Sequence, residues 1–107
     1  MSFSNKVAAI TGAGSGIGRA LATRLAQSGC DLALSDIDAT GLKQTITLVE
    51  SNDIRVSSCV LDVSDKDAMY AWAEQVISDH GKVNMIFNNA GVGLSGTVAS
   101  LPLKDYE

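Results

Sequence analysis

The sequence predicts an α/β fold, an open sheet of parallel strands covered by helices, and three observations point there. Apolar runs alternate with helical patterns along all 107 residues, with no repeat or low-complexity stretch between them. The composition is 46% hydrophobic and the mean hydropathy is +0.17, which suits strands buried on both faces. A glycine-dense turn, Thr11-Gly12-Ala13-Gly14-Ser15-Gly16-Ile17-Gly18, joins the first apolar run to the first helical pattern.

Taken in order, strand one is expected over 6–11, where Val7-Ala8-Ala9-Ile10 is apolar throughout. The first helix opens at Ile17; Ile17, Ala20, Leu21 and Leu25 mark its inner face and Gln27-Ser28-Gly29 its end. Strand two spans 31–36 around Leu32, Ala33 and Leu34. A second helix over 39–51 places Leu42, Ile46 and Val49 on one face, with Asp38 as its opening residue. Strand three covers 55–62. The third helix is expected to start at Ser64 as N-cap, with Asp65 and Asp67 in its first turn. Met69, Trp72, Ala73, Val76 and Ile77 form its stripe, and it ends at His80, which suits the negative end of the helix dipole, with Gly81 beyond. Strand four, 83–88, is nearly all apolar. Three successive β-α units require parallel strands joined by right-handed crossovers. Residues 100–107, with Pro102 near the start, read as a cap at Ser100 and the first turn of a further helix. The chain is therefore expected to be one domain portion, 1–107, truncated at its C-terminus.

Composition excludes several classes. A net charge of −4 leaves no basic stripe to neutralise phosphates, so nucleic acid is not an expected partner. No apolar run approaches the ~20 residues of a membrane span. The first six residues lack the apolar core of a signal peptide, and a cytoplasmic location is expected. Cys30 and Cys59 stand 29 positions apart without C-x-x-C spacing or histidine companions, so they are read as small buried thiols and no metal site is expected.

The chemistry lies in the glycine turn and at the ends of the strands. A glycine turn between a buried strand and a helix leaves backbone N–H groups uncovered at a helix N-terminus, which favours an anion. A phosphate loop of the Gly-Lys-Ser/Thr type is absent. The G-x-G-x-x-G spacing also fails, because Ile17 stands where its last glycine belongs; T-G-x-x-x-G-x-G fits instead, with Gly12, Gly16 and Gly18 in register. Gly12 would make the turn, Gly16 would admit a pyrophosphate, Gly18 would let the helix pack, and Ser15 would add a hydroxyl beside the phosphate. Arg19 reads as solvated surface in preference to a phosphate ligand. Asp36 ends strand two 20 residues after Gly16, where a carboxylate can accept from an adenosine ribose. A 2′-phosphate there would meet like charge, and neither Ile37 nor Asp38 offers a cation, so NAD is expected over NADP. Asp62-Val63 closes strand three, and Asn88-Asn89-Ala90-Gly91 closes strand four.

Together, T-G-x-x-x-G-x-G and N-N-A-G resemble the short-chain dehydrogenase/reductase family over nearly the whole chain. The resemblance implies a Rossmann-type doubly wound sheet of strand order 3-2-1-4, with further strands beside strand four. It implies that the Asp62 carboxylate accepts from the adenine amino group while the Val63 backbone meets the ring; the alternative is a plain aspartate turn before the Ser64 cap. It places the Asn89 backbone near the adenosine ribose, with Ala90 and Gly91 passing close under the cofactor and Ile17 beside the glycines. Ser15 also stands where many NADP-using relatives carry a basic residue. For the intact protein it implies a homo-oligomer that transfers hydride between NAD(H) and a small alcohol or carbonyl substrate. The family's catalytic Y-x-x-x-K does not occur here: Tyr70 is followed by Glu74, and Tyr106 by the chain end. No catalytic residue is assigned, and the chain alone is expected to be inactive. Alternatives are a non-catalytic dinucleotide-binding or sensing module and a truncated product that pairs with other chains. For the latter, Met85, Ile86 and Phe87 would form an unpaired edge.

Overall fold

Strand β1, Val7–Thr11, is buried along its whole length, and the other elements are arranged around it. The computed structural model describes residues 3–89 and the backbone of residues 99–101. After β1 come α1 (Gly16–Gln27), β2 (Asp31–Asp36), α2 (Ala39–Val49) with a single 3-10 turn (Glu50–Asn52), and β3 (Val56–Val60). They are followed by α3 (Lys66–His80), β4 (Met85–Asn88) and β5 (Ala99–Leu101). The sheet order is β3-β2-β1-β4-β5. The first four strands are parallel, with Ala9 level with Ala33 on one side and with Ile86 on the other. This is the Rossmann-type order 3-2-1-4 expected from the sequence.

The alternation of side chains divides the interior into two clusters. Ala8, Ile10, Leu32 and Leu34 face α1 and α2, where they meet Ala22, Leu25, Ala26, Leu42 and Val49. Ala9 and Ala33 face the other way, toward α3, and Trp72 and Val76 join Leu61 and Val83 there. Small residues on the central strands give the indole room above the sheet. Cys30 is fully buried, and burial, aided by the neighbouring Asp31 carboxylate, pushes its thiol up to about 11. Cys59, expected to be buried, is only half-buried on the outer strand β3.

Several details differ from the sequence reading. Leu25 is buried and Leu21 packs against the core as expected, but Ile17 is 46% exposed and Ala20 is exposed; Gly18, Ala22 and Ala26 complete the inner face of α1. The close approach of Gly18 to the turn sets that face, and at about 100° per residue Ile17 and Ala20 rotate outward. The N-cap of α3 is Asp65, whose carboxylate accepts from the Ala68 N–H; Ser64 is bound to Asp62 instead. Strand β4 begins two residues later than expected, because the Asn84 side chain and backbone both bond Val7 ahead of the regular ladder. The edge of β4 is not unpaired: β5 lies antiparallel against it, with Phe87 level with Ser100. A bare apolar edge without charge or proline is a template for pairing, and a segment about ten residues downstream fills it at small closure cost. Ser100 is thus in a strand, not a helix cap, and residues 102–107 lie outside the described residues.

At the opposite end of the sheet from the glycine turn, α3 closes on Gly81 at φ +81°. The His80 ring is half-buried there, with Nε2 2.8 Å from the Ser57 hydroxyl of β3 and Nδ1 buried without a partner. Burial pushes the imidazole below its ordinary 6.5, against the pull of Asp31, so the charge that a helix C-terminus favours is opposed. The unfolded chain therefore takes up a proton near pH 6.5 that the folded chain resists, and stability falls as pH drops below 6.5. In the intact protein, His80→Gln should flatten this slope. Denaturant unfolding at pH 5.5 and pH 8 should show the variant's deficit shrinking at the lower pH.

Candidate functional site

The glycine turn is closed on its inner side and open on its outer side. The chain turns at Gly12, φ +65°, and enters α1 at Gly16, φ +54°. A Cβ on Gly18 would overlap the Gly12 carbonyl oxygen, so helix and turn are in backbone contact. A Cβ on Gly16 would meet nothing within 4 Å. Ser15 caps the helix with an extended backbone, but its hydroxyl makes no capping bond. It is exposed together with Gly16 and Ile17. The first-turn N–H groups have no acceptor within the helix, and they stand at the positive end of its dipole.

The turn's own backbone is bound from all sides. The Ala13 N–H donates to the Ser35 carbonyl at 3.0 Å, and the Ala13 carbonyl accepts from the Thr45 hydroxyl at 2.7 Å. The Gly14 N–H donates to Asp36 Oδ2 at 2.7 Å, while Asp36 Oδ1 accepts from the Asp38 N–H at 2.9 Å. Each oxygen of that carboxylate keeps lone-pair capacity for a further donor. Asp38 is the N-cap of α2 and accepts from the Gly41 N–H, as its expected opening role requires. Gly14 and Gly41 allow α2 to rest directly on the turn: a Cβ on Gly41 would lie 2.6 Å from the Gly14 carbonyl oxygen, and one on Gly14 2.7 Å from Asp36 Oδ2. Arg19 is not solvated surface. It is half-buried between α1 and α2, with Nε donating to Thr45 Oγ1 and Nη2 reaching the Gly14 and Gly41 carbonyls and Gln44 Oε1.

Strand β4 ties the site together from its other edge. The Thr11 hydroxyl lies 3.3 Å from Asn88 Oδ1 and accepts from the Asn89 N–H at 3.0 Å. Asn89 Nδ2 donates to the Gly12 carbonyl at 3.3 Å. Ala90 and Gly91 lie outside the described residues. Asp62 stands past the end of β3 and is fully exposed; its Oδ1 accepts from both the N–H and the hydroxyl of Ser64, which holds the carboxyl below its ordinary range. Both bonds of this turn go to the same oxygen, so the turn and an acceptor role for Asp62 are compatible. Val63 is half-buried and packs toward the α3 cluster. The structure thus bonds Gly14 to Asp36 and Gly12 to Asn89, and Leu61, next to Asp62, donates its N–H to the Asp36 carbonyl.

Four contributors were missed from sequence: Gly14, Arg19, Gly41 and Thr45. Gly41 carried a signal, since a glycine inside a helical pattern costs propensity and marks close approach. Gly14 occupied a free position of the motif. Nothing in the spacing singled out Thr45.

Among the described residues no group of three His, Cys, Asp or Glu could hold a metal, and no helix is long and apolar enough to cross a membrane. An anion site on a glycine turn, beside a fixed carboxylate at the strand ends of a parallel sheet, defines a nucleotide-binding α/β protein. The chain belongs to the short-chain dehydrogenase family, whose family model matches residues 6–107. SadH of Mycobacterium tuberculosis is 46% identical over 106 residues, which is 99% of this chain and 38% of SadH. Carveol dehydrogenase from Mycobacterium avium in complex with NAD superposes with a TM-score of 0.81 at 33% identity, over 87% of this chain and 38% of that one. NAD+-bound xylitol dehydrogenase gives 0.82 at 37% identity, over 85% and 35%. The chain therefore spans about two fifths of the length of such relatives.

The glycine geometry predicts a contrast in stability. Gly18→Ala must move the backbone of residue 12 and should cost more than Gly16→Ala, whose methyl has space and whose only burden is the left-handed φ, about 1–2 kcal/mol. Urea unfolding of the two variants in the intact protein measures the difference.

Proposed function

We propose that this chain is the NAD-binding portion of an oxidoreductase that moves hydride between NAD(H) and the carbon of an alcohol or carbonyl compound. The observation that carries the reading is the Asp36 carboxylate, held by the N–H groups of Gly14 and Asp38 beside the glycine turn. The residues fit the dinucleotide in three respects. The space outside Gly16 is open, the first-turn N–H groups of α1 suit a pyrophosphate, and Asp36 has acceptor capacity for ribose hydroxyls. In this reading Gly12, Gly16 and Gly18 shape the turn, while Ser15 and Ile17 border the diphosphate. Asp62 and Val63 serve the adenine, and Asn89, Ala90 and Gly91 line the ribose side. Bound NAD would supply the hydride acceptor.

Asp36 also sets the choice of dinucleotide, because the 2′-phosphate of NADP would bring negative charge against a carboxylate that backbone bonds prevent from turning away. No residue of this chain is assigned to proton transfer. Tyr70 lies 72% exposed on α3 with Glu74 four residues on, and a reduction needs a positioned acid at the substrate oxygen. The catalytic groups are proposed to come from elsewhere in the intact protein, and a chain of residues 1–107 alone should show no turnover.

In the intact protein, Asp36→Ala should weaken NAD binding by about 1.5–3 kcal/mol, the range for hydrogen bonds to a charged group, and relieve the exclusion of NADP. Calorimetric titration with both dinucleotides tests this, and an unchanged preference would remove Asp36 from the ribose. Gly16→Val should weaken both dinucleotides alike while far-UV circular dichroism stays native, because its added bulk occupies the open side of the turn.

A further inference from the structure

We propose that Arg19 is a positioning residue for dinucleotide selection, acting through Gly14 on the Asp36 carboxylate; this rests on the reading of Asp36 as the ribose acceptor. Gly14 is held at both ends. Its N–H donates to Asp36 Oδ2, and its carbonyl accepts from Arg19 Nη2. Arg19 also controls the preceding carbonyl at one remove. Its Nε donates to Thr45 Oγ1 at 2.9 Å, and that hydroxyl lies 2.7 Å from the Ala13 carbonyl and 3.3 Å from the Gly41 carbonyl, so its single proton goes chiefly to the shorter contact at Ala13. Two successive carbonyls of the turn are thereby fixed by one guanidinium.

The same side chain binds α2 through the Gly41 carbonyl at 3.0 Å and Gln44 Oε1 at 3.1 Å. The N-cap of α2 is Asp38, whose N–H holds the other oxygen of Asp36. Arg19 therefore braces both supports of the carboxylate, one through the turn and one through α2. The four acceptors it meets among the described residues are neutral: two main-chain carbonyls, a hydroxyl and an amide. That arrangement suits a planar fork with several fixed donors and does not suit an ammonium group, so lysine is no substitute.

A bond that merely ties α1 to α2 would affect stability and bind every dinucleotide alike. A positioning role predicts selectivity. Arg19→Met keeps the aliphatic stem and removes the fork. In the intact protein it should raise the calorimetric Kd for NAD about tenfold, the equivalent of one charge-assisted hydrogen bond, with little change for NADP. In an Asp36→Ala background the same substitution should change NAD affinity less than about twofold, since residues that act through one another are not additive. Arg19→Lys should not restore the NAD preference. If Arg19→Met fails to fold, Thr45→Val removes the hydroxyl between Arg19 and the Ala13 carbonyl and should shift selectivity in the same direction. Equal weakening of NAD and NADP, or an undiminished effect in the Asp36→Ala background, would overturn the positioning role. An Asp36→Ala protein with unaltered NAD affinity would instead overturn the ribose assignment on which it rests.

Discussion

The hydrogen bond from the Gly14 N–H to Asp36 Oδ2, 2.7 Å long, constrains the whole strand-end edge of this protein. It joins the turn after β1 to the end of β2, so a carboxylate that a flexible side chain would scatter is held in one direction. Making it requires a residue without a side chain at position 14, because a Cβ would fall on the same carboxylate and on the Leu42 N–H. It also requires that α2 come close, which Gly41 permits. The bond, the two glycines and the arginine between the helices form one unit in which each part fixes the next.

Much of this was legible in the sequence, and the reasons are local. Strand β2 is bounded by Asp31 and Asp36 as read, since its apolar run is short and flanked by polar residues. The strand order followed from family likeness, as no spacing within one chain tells which neighbours a parallel strand takes. The face of α1 was misjudged in part because Ile17 is apolar and begins a plausible stripe. What sets the face is contact between two backbones at Gly12 and Gly18, and hydrophobicity does not register it. The roles of Arg19 and Thr45 were hidden for a related reason: polar residues on a helix read as solvated until the partner helix is in place. The cap of α3 shows the competition that local polar residues bring, since Ser64 was captured by Asp62 and left Asp65 to cap the helix.

The two ends of the sheet have different character. At the strand C-termini, the Asp36 and Asp62 carboxylates are held by backbone donors and keep lone-pair capacity. At the other end, Asp31 accepts from the Arg55 N–H and so ties β2 to the start of β3, while Arg55 donates to the Asp79 carbonyl and His80 meets Ser57, which join α3 to β3. The first arrangement keeps acceptor capacity free; the second spends it on cohesion.

The place of β1 has a consequence for the order in which the chain becomes native during synthesis. Strand β1 is made before both of the strands that flank it, and its two edges are completed at different times. β2 follows within about two dozen residues, but the partners on the other edge are far along the chain: Val7 meets Asn84 across 77 positions, and Asn89 meets Thr11 across 78. Until β4 has emerged, one edge of a strand made almost entirely of apolar residues has no partner within the chain. The nascent protein thus passes through a stage in which its most buried segment is half clothed, and that interval is one a chaperone would guard.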